Sequence, residues 1–166
     1  MKPKVLIIMG SDSDLPVMEE TARILDAFTV PYSMTVASAH RTPARTLKLI
    51  KDAEKNGVDV IIGAAGMAAH LPGVIASHTV VPVIGVPLDA SPFKGMDSLL
   101  SIVQMPPGIP VATVAVGKAG AQNAAILAVQ IIARRDAKLT RRLQEHRQKM
   151  AKEVEEKADR IAKKER

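Results

Sequence analysis

Short apolar runs and longer amphipathic stretches alternate along most of this chain. Residues 4–9, 32–37, 58–64, 80–86 and 111–116 are largely apolar, rich in β-branched side chains and bounded by Gly, Pro or Ser. That is the pattern of parallel strands buried on both faces. Between the first two runs, Val17, Met18, Thr21, Ile24, Leu25 and Phe28 fall on one helical face, and between the second and third Leu47, Ile50 and Ala53 do the same. A Pro-rich connection between the fourth and fifth runs leaves room for only a short helix near 97–104, and an Ala-rich helix follows at about 119–133. Strand–helix–strand alternation at this spacing predicts a three-layer α/β domain built on a five-stranded parallel sheet.

Beyond residue 136 the pattern changes. Leu139, Leu143, Met150, Val154 and Ile161 recur at alternating spacings of four and seven, with His146 and Lys157 where the remaining seam members would stand. This is a thin apolar stripe on a charged helix. Two arrangements satisfy it: packing along its own domain, or lying across a neighbouring subunit. The chain therefore divides into a single domain over 1–136 and a charged C-terminal helix over 137–166, expected at a subunit interface.

Composition narrows the function more than the fold. A chain of 166 residues can bury one real core without disulfides or metals, and the absence of cysteine excludes disulfides, thiolate nucleophiles and zinc–thiolate sites. No apolar stretch reaches membrane-spanning length, and the opening residues turn polar too soon for a signal peptide. No membrane partner is expected, and a cytoplasmic location is the default.

The formal net charge of +6 hints at nucleic acid until it is divided by position. Residues 1–133 carry ten Lys and Arg against ten Asp and Glu, whereas 134–166 carries thirteen against seven. The excess belongs to the terminal segment, and with one Tyr, two Phe and no Trp the chain is poorly supplied for base stacking. No nucleic-acid partner is expected.

In an open α/β sheet, ligands bind beyond the carboxyl ends of the strands, where the strand order reverses. In a flavodoxin-like order the loops after the first three strands converge there. They are Gly10-Ser11-Asp12-Ser13-Asp14, then Ser38-Ala39-His40-Arg41-Thr42, then Ala64-Ala65-Gly66-Met67-Ala68-Ala69-His70. The first precedes a helix whose first turn contains Pro16. Its amides, with Ser11 or Ser13, suit an anion, and Asp14 suits ribose hydroxyls. Simple N-capping by Ser13 or Asp14 accounts for the same residues.

In the second loop Thr42 is placed to cap the next helix with Pro43 at its first position, which leaves His40 and Arg41 on the short loop before it. The Arg41 fork can engage two phosphate oxygens and cannot lose its charge. An imidazole such as His40 can both donate and accept a proton near neutral pH. The third loop is built of small residues up to His70-Leu71-Pro72-Gly73, which opens another helix. It either brings backbone amides close to a ligand or forms a tight packing turn. His78 reads as structural and His146 as a seam or surface residue. His40 and His70 have no carboxylate at ligand spacing and form no His-x-x-x-His pair, so no metal site is expected. A G-x-S-x-G elbow is also absent, which disfavours a serine hydrolase.

Five motifs in order then carry a resemblance. They are Met9-Gly10-Ser11-Asp12-Ser13-Asp14, Ser38-Ala39-His40-Arg41-Thr42-Pro43, Ala69-His70-Leu71-Pro72-Gly73, the stretch 97–106 (DSLLSIVQMP), and Gly117-Lys118-Ala119-Gly120-Ala121. Together they resemble the N5-carboxyaminoimidazole ribonucleotide mutase family, the class I form related to aminoimidazole ribonucleotide carboxylase. The match runs over nearly the whole chain and continues beyond about residue 134 only in general character.

The resemblance implies a flavodoxin-like domain assembled as a homo-octamer, with a small ribonucleotide substrate between subunits. It implies an isomerase of purine biosynthesis that needs no metal or cofactor and moves a carboxylate from exocyclic N5 to ring carbon C4 through trapped carbon dioxide. Carried onto this chain, His40 matches the general acid/base, and Ser11, Asp14 and Arg41 match the ribose-phosphate contacts. The loop ending at His70 matches the enclosure of the transferred carboxyl group. Ser38, Ala65, Gly66, His70 and Leu71 complete the expected substrate contacts. One departure stands out: the family usually has a second glycine where this chain has Met67.

Two rivals remain at this stage. The class II reaction carboxylates aminoimidazole ribonucleotide with free carbon dioxide, but resemblance to that class would favour lysine in place of Arg41. The other is a non-enzymatic phosphate- or nucleic-acid-binding α/β module using the basic terminal helix, against which the neutral body and the scarcity of aromatics weigh.

Overall fold

The structure, a computed structural model, describes residues 2–164. Five strands form one sheet: β1 (Val5–Met9), β2 (Tyr32–Val36), β3 (Val60–Gly66), β4 (Val83–Leu88) and β5 (Ala112–Thr113). Their order across the sheet is β2-β1-β3-β4-β5, and every neighbouring pair is parallel. This is the flavodoxin-like order, with its reversal between β1 and β3. The intervening helices are α1 (Leu15–Ala27), α2 (Pro43–Asn56), α3 (Leu71–Ser77), α4 (Met96–Val103) and α5 (Gly117–Ala133), followed by α6 (Ala137–Lys164).

The strand patterning holds best where the sheet is covered on both faces. All of β1 and β4, and β3 as far as Ala65, are buried. β2 is only half-buried because it is an edge strand, so its run is less purely apolar than its neighbours. Two strands also differ from their sequence-based bounds. The fourth starts at Val83 rather than Val80, because Pro82 precedes the ladder and Val80 lies 98% exposed in the connection. Pro87 is tolerated inside it because only Ile84 and Gly85 pair with β5. The fifth strand shrinks to two residues at the far edge.

The helices cover the sheet by the expected faces. Met18, Thr21 and Leu25 of α1 are buried, as are Ile50 and Ala53 of α2. Thr21 is accommodated because its hydroxyl donates to the Ala121 carbonyl at 2.8 Å. The Gly117-Lys118-Ala119-Gly120-Ala121 motif opens α5, and a Cβ on Gly120 would overlap the Ala115 carbonyl oxygen. Only glycine permits that approach.

The chain separates into two compact units, residues 1–131 and 132–166. In the second, the Asp136 carboxylate accepts from the backbone N–H groups of Lys138 and Leu139, which caps α6. Further along that helix Met150, Val154 and Ile161 are exposed. Among the described residues, no helix is long and apolar enough to cross a membrane.

Candidate active site

The loops that follow β1, β2 and β3 meet at one end of the sheet, beside the reversal of strand order. They enclose a cleft of about 550 Å³. Ser11, Asp14, Ser38, His40, Arg41, Ala65, Gly66, His70 and Leu71 all line it. The sequence therefore brings every candidate site residue to one place.

The first loop is organised around a capping box. The Ser11 N–H donates to Asp14 Oδ2 at 3.0 Å, and Ser11 Oγ accepts from the Ser13 N–H at 3.3 Å. The capping serine is thus Ser11, whereas Asp14 at the start of α1 makes no side-chain cap to that helix. The Ser13 and Ser11 hydroxyls lie 2.9 Å apart. Asp14 is 7% exposed, and burial pushes its carboxyl above the usual aspartate range, against the opposite pull of the Ser11 N–H and the Ser13 hydroxyl. A buried carboxylate that faces a cleft is a ready acceptor for sugar hydroxyls.

The second loop is a self-bonded turn. Thr42 occupies the N-cap position of α2, with Pro43 following, but its hydroxyl does not cap the helix. It instead accepts from the Ser38 N–H at 2.9 Å and donates to the Ser38 carbonyl at 3.1 Å. Ser38 Oγ in turn accepts the Arg41 N–H at 3.1 Å. This closes the turn and projects His40 and Arg41 from its tip. The Arg41 guanidinium contacts the Gly10 carbonyl through one nitrogen at 3.4 Å, joining the first two loops, and its remaining donors lie exposed toward the cleft.

Arg45, in the first turn of α2, reaches back to β2. Its Nε donates to the Val36 carbonyl and its Nη2 to Thr35 Oγ1, both at 3.0 Å. It also lines a second depression of about 490 Å³ together with Ser11, Ser38 and Arg41. Sequence reading does not single out Arg45, because its carbonyl partner in β2 is invisible without the fold.

The third loop supplies few polar groups. Ala65 and Gly66 end β3, and a Cβ on Gly66 would stand 2.5 Å from Cβ of Ala90 in the loop after β4. Ala90 is thus a fourth-loop contribution to the wall, marked in the sequence only by its small size. Met67 has φ +55°, a left-handed conformation, and is 60% exposed on the rim of the cleft. Glycine tolerates that conformation at no cost, whereas a Cβ is disfavoured there. Short turns then return the chain, with Ala69 N–H donating to the Met67 carbonyl and His70 N–H to that of Ala68.

These turns place His70 against His40. His40 Nε2 and His70 Nδ1 are 2.8 Å apart, with the rings edge to face at a centroid separation of 5.0 Å. Such a contact holds one proton between two nitrogens, one ring donating and the other accepting. The pairing joins loops thirty residues apart and could not be read from either motif. His78 ends α3 as an exposed cap residue, away from the site. Among the described residues, no group of three or more His, Asp or Glu side chains is arranged to hold a metal ion.

Comparison with known proteins identifies the family. The family model described as AIR carboxylase matches residues 4–153. The N5-carboxyaminoimidazole ribonucleotide mutase of Pyrococcus horikoshii is 58% identical over 160 residues, covering 96% of this chain and 89% of the relative. The mutase of the same name from Escherichia coli K12 is 52% identical over 156 residues, covering 94% and 92%. The crystal structure of Treponema denticola PurE superposes with a TM-score of 0.83 at 29% identity, covering 93% of this chain and 95% of that one. The chain belongs to the AIR carboxylase family.

Proposed function

We infer that this chain isomerises N5-carboxyaminoimidazole ribonucleotide to 4-carboxy-5-aminoimidazole ribonucleotide in purine biosynthesis, with His40 as the proton carrier. The observation that carries the mechanism is the His40–His70 contact in a cleft that has an exposed guanidinium on one side and a wall of small residues on the other. The ribonucleotide's phosphate is assigned to Arg41 and the first loop, and its ribose hydroxyls to Asp14. The imidazole is assigned to the space beside His40 and Ala65–Gly66.

The reaction needs one proton moved twice. N5 takes a proton from His40 as its bond to the carboxyl carbon breaks, the bonding pair staying on nitrogen and carbon dioxide being released into the recess. The electron-rich C4 then forms a bond to that carbon dioxide, and the proton displaced from C4 returns to His40. Charge and atoms balance with no other reactant. The His70 ring supports the exchange by sharing the proton across the 2.8 Å contact. Anchoring the phosphate supplies binding energy remote from the reacting bond, and a recess walled by small residues keeps the gas oriented beside C4.

The reading extends to assembly. A homo-octamer with substrate bound between subunits is supported by the apolar face of α4 and its approach. Phe93, Met96, Leu100 and Val103 are each about half or more exposed, and the last three fall one and two turns apart. The stripe on α6 provides a second such surface. Light scattering on the purified protein tests the octamer, and a monomer at micromolar concentration would overturn it. An enzyme of this kind acts in the cytoplasm.

The deciding experiment offers the protein N5-carboxyaminoimidazole ribonucleotide without ATP and, separately, the decarboxylated nucleotide with bicarbonate. Fast conversion of the first alone is expected. Conversion of the second alone would make the enzyme a carboxylase using free carbon dioxide, and conversion of neither would overturn the enzymatic reading.

A further inference from the structure

We propose that Asp12 is a placeholder for the substrate's phosphate: its carboxylate holds the donors of the first loop in the free enzyme, yields them when nucleotide binds and takes them back when product leaves. The inference rests on the mutase reading above, in which the first loop and Arg41 take the phosphate.

A loop expected to grip an anion has its donors already engaged. The Ser11 N–H donates to Asp14 Oδ2 at 3.0 Å, and the Ser11 hydroxyl donates to Asp12 Oδ1 at 3.1 Å. The Ser13 N–H is shared between Asp12 Oδ1 at 3.1 Å and Ser11 Oγ at 3.3 Å. The Ser13 hydroxyl donates to Ser11 Oγ at 2.9 Å, with Asp14 Oδ1 at 3.5 Å as its alternative. None of these hydrogens is left for a phosphate, so one of the two carboxylates must give way.

Asp14 is the wrong one. It is buried, closes the capping box on the Ser11 N–H and is assigned to the ribose. Asp12 forms no ion pair among the described residues, and its departure frees both the Ser13 N–H and the Ser11 hydroxyl. It also has somewhere to go. Ser11 and Arg41 line both the cleft and the second depression, whereas Asp12 lines only the latter, where Arg45 adds a second guanidinium to the wall. Besides burial, the Asp12 charge is what raises the Asp14 carboxyl, so its negative field reaches the ribose contact as well.

Exchanging one anion for another keeps the donors satisfied throughout, and an unsatisfied donor is what binding would otherwise have to bear. The loop backbone stays in place because the capping box takes no part. Displacing Asp12 weakens every ligand whose phosphate enters, substrate, product and free phosphate alike, by one common factor. That is uniform binding, which acts on KM and leaves the chemical step alone. Asp12 is accordingly a positioning residue that works through Ser11 and Ser13.

Inorganic phosphate is the probe, used as a competitive inhibitor in the mutase assay and in isothermal titration of the free protein. In Asp12→Ala the inhibition constant for phosphate and the KM for the nucleotide should fall by the same several-fold factor, with no matching rise in kcat. Asp12→Asn keeps the acceptor and the fold but loses the charge, and should show a smaller gain in both constants. Phosphate binding that is unchanged or weaker in Asp12→Ala would overturn the inference. Equal gains in the two variants would do so too, by assigning the effect to charge alone, as would tighter phosphate binding at an unchanged KM. The titration needs no turnover, so its failure is distinct from that of the mutase reading, which falls if the wild type does not convert the nucleotide.

Discussion

The two sides of the cleft are built on opposite principles. The loops after β1 and β2 are dense with hydrogen bonds: a capping box at Ser11 and Asp14, a closed turn at Ser38 and Thr42, and the Arg41 contact to Gly10 that joins them. The loop after β3 has almost no side-chain bonds until His70, and owes its shape to missing atoms at Ala65, Gly66 and Ala68 and to strain at Met67. The polar side is satisfied before any ligand arrives, so it can grip an anion without reorganising. The bare side leaves space whose dimensions are set by backbone. Gripping and enclosing are thus separated, and the histidine pair is the only side-chain bond that bridges them among those described above.

Breaking that bridge should have the largest effect. His40→Asn is expected to lower turnover by roughly 10²–10⁴-fold, the range for loss of a general acid/base, while ribonucleotide binding persists. Isothermal titration beside a coupled assay separates the two, and undiminished turnover would remove His40 from the mechanism.

The grip is tested next. Arg41→Ala should weaken substrate binding by about 1.5–3 kcal/mol, the scale of a hydrogen bond to a charged group. The loss should appear in KM more than in kcat, because phosphate contacts form equally in ground and transition states. A fall in kcat at unchanged KM would move Arg41 from the gripping side to the reacting centre.

Enclosure is tested by Gly66→Ala. The added methyl would meet Ala90 at 2.5 Å, so the wall must shift at a cost of about 1–3 kcal/mol in stability. Activity should fall further than the loss of folded protein explains, since the space itself is reduced. A variant with wild-type stability and turnover would show that the wall is softer than its backbone suggests.

The smallest effect concerns Asp14. Its carboxyl titrates higher in the folded protein than in the unfolded chain, chiefly because it is buried. Stability from such a group is complete below its unfolded pKa and is lost as pH rises through the folded one, so at neutral pH the charged Asp14 is a net cost. Asp14→Asn keeps an acceptor for the Ser11 N–H and should be slightly more stable than wild type at pH 7. That advantage should disappear as pH falls into the ordinary aspartate range. Thermal melts across pH 3–8 (roughly the window set by ordinary aspartate titration) measure it, and an advantage that grows in acid would reverse the sign. Substrate affinity should fall in the same variant.

The same contrast explains what could be read in the chain. Strands β1 and β3 were legible because burial on both faces makes each a continuous apolar run, and the helical faces of α1 and α2 because each buries a periodic set of apolar side chains. The grip was legible for a related reason, since Ser, Asp, His and Arg announce their chemistry wherever they stand. The enclosure was legible only as a run of small residues ending at His70 with Met67 as its one departure; the left-handed φ of Met67, the place of Ala90 in the wall and the His40–His70 bond depend on loops brought together by the strand order. The fifth strand was overextended because an apolar run at a sheet edge does not reveal that only Ala112 and Thr113 pair with β4.

Arg45 has a consequence outside the reaction. The β2 carbonyl it occupies, Val36, faces away from β1, on the free side of the sheet. An uncovered edge strand is a template on which another chain can add itself, and a bulky cation laid over it is one of the ways proteins prevent this. The guanidinium that ties α2 to the end of β2 therefore also guards solubility. Arg45→Ala should reveal itself first as turbidity on storage and only afterwards as lost turnover.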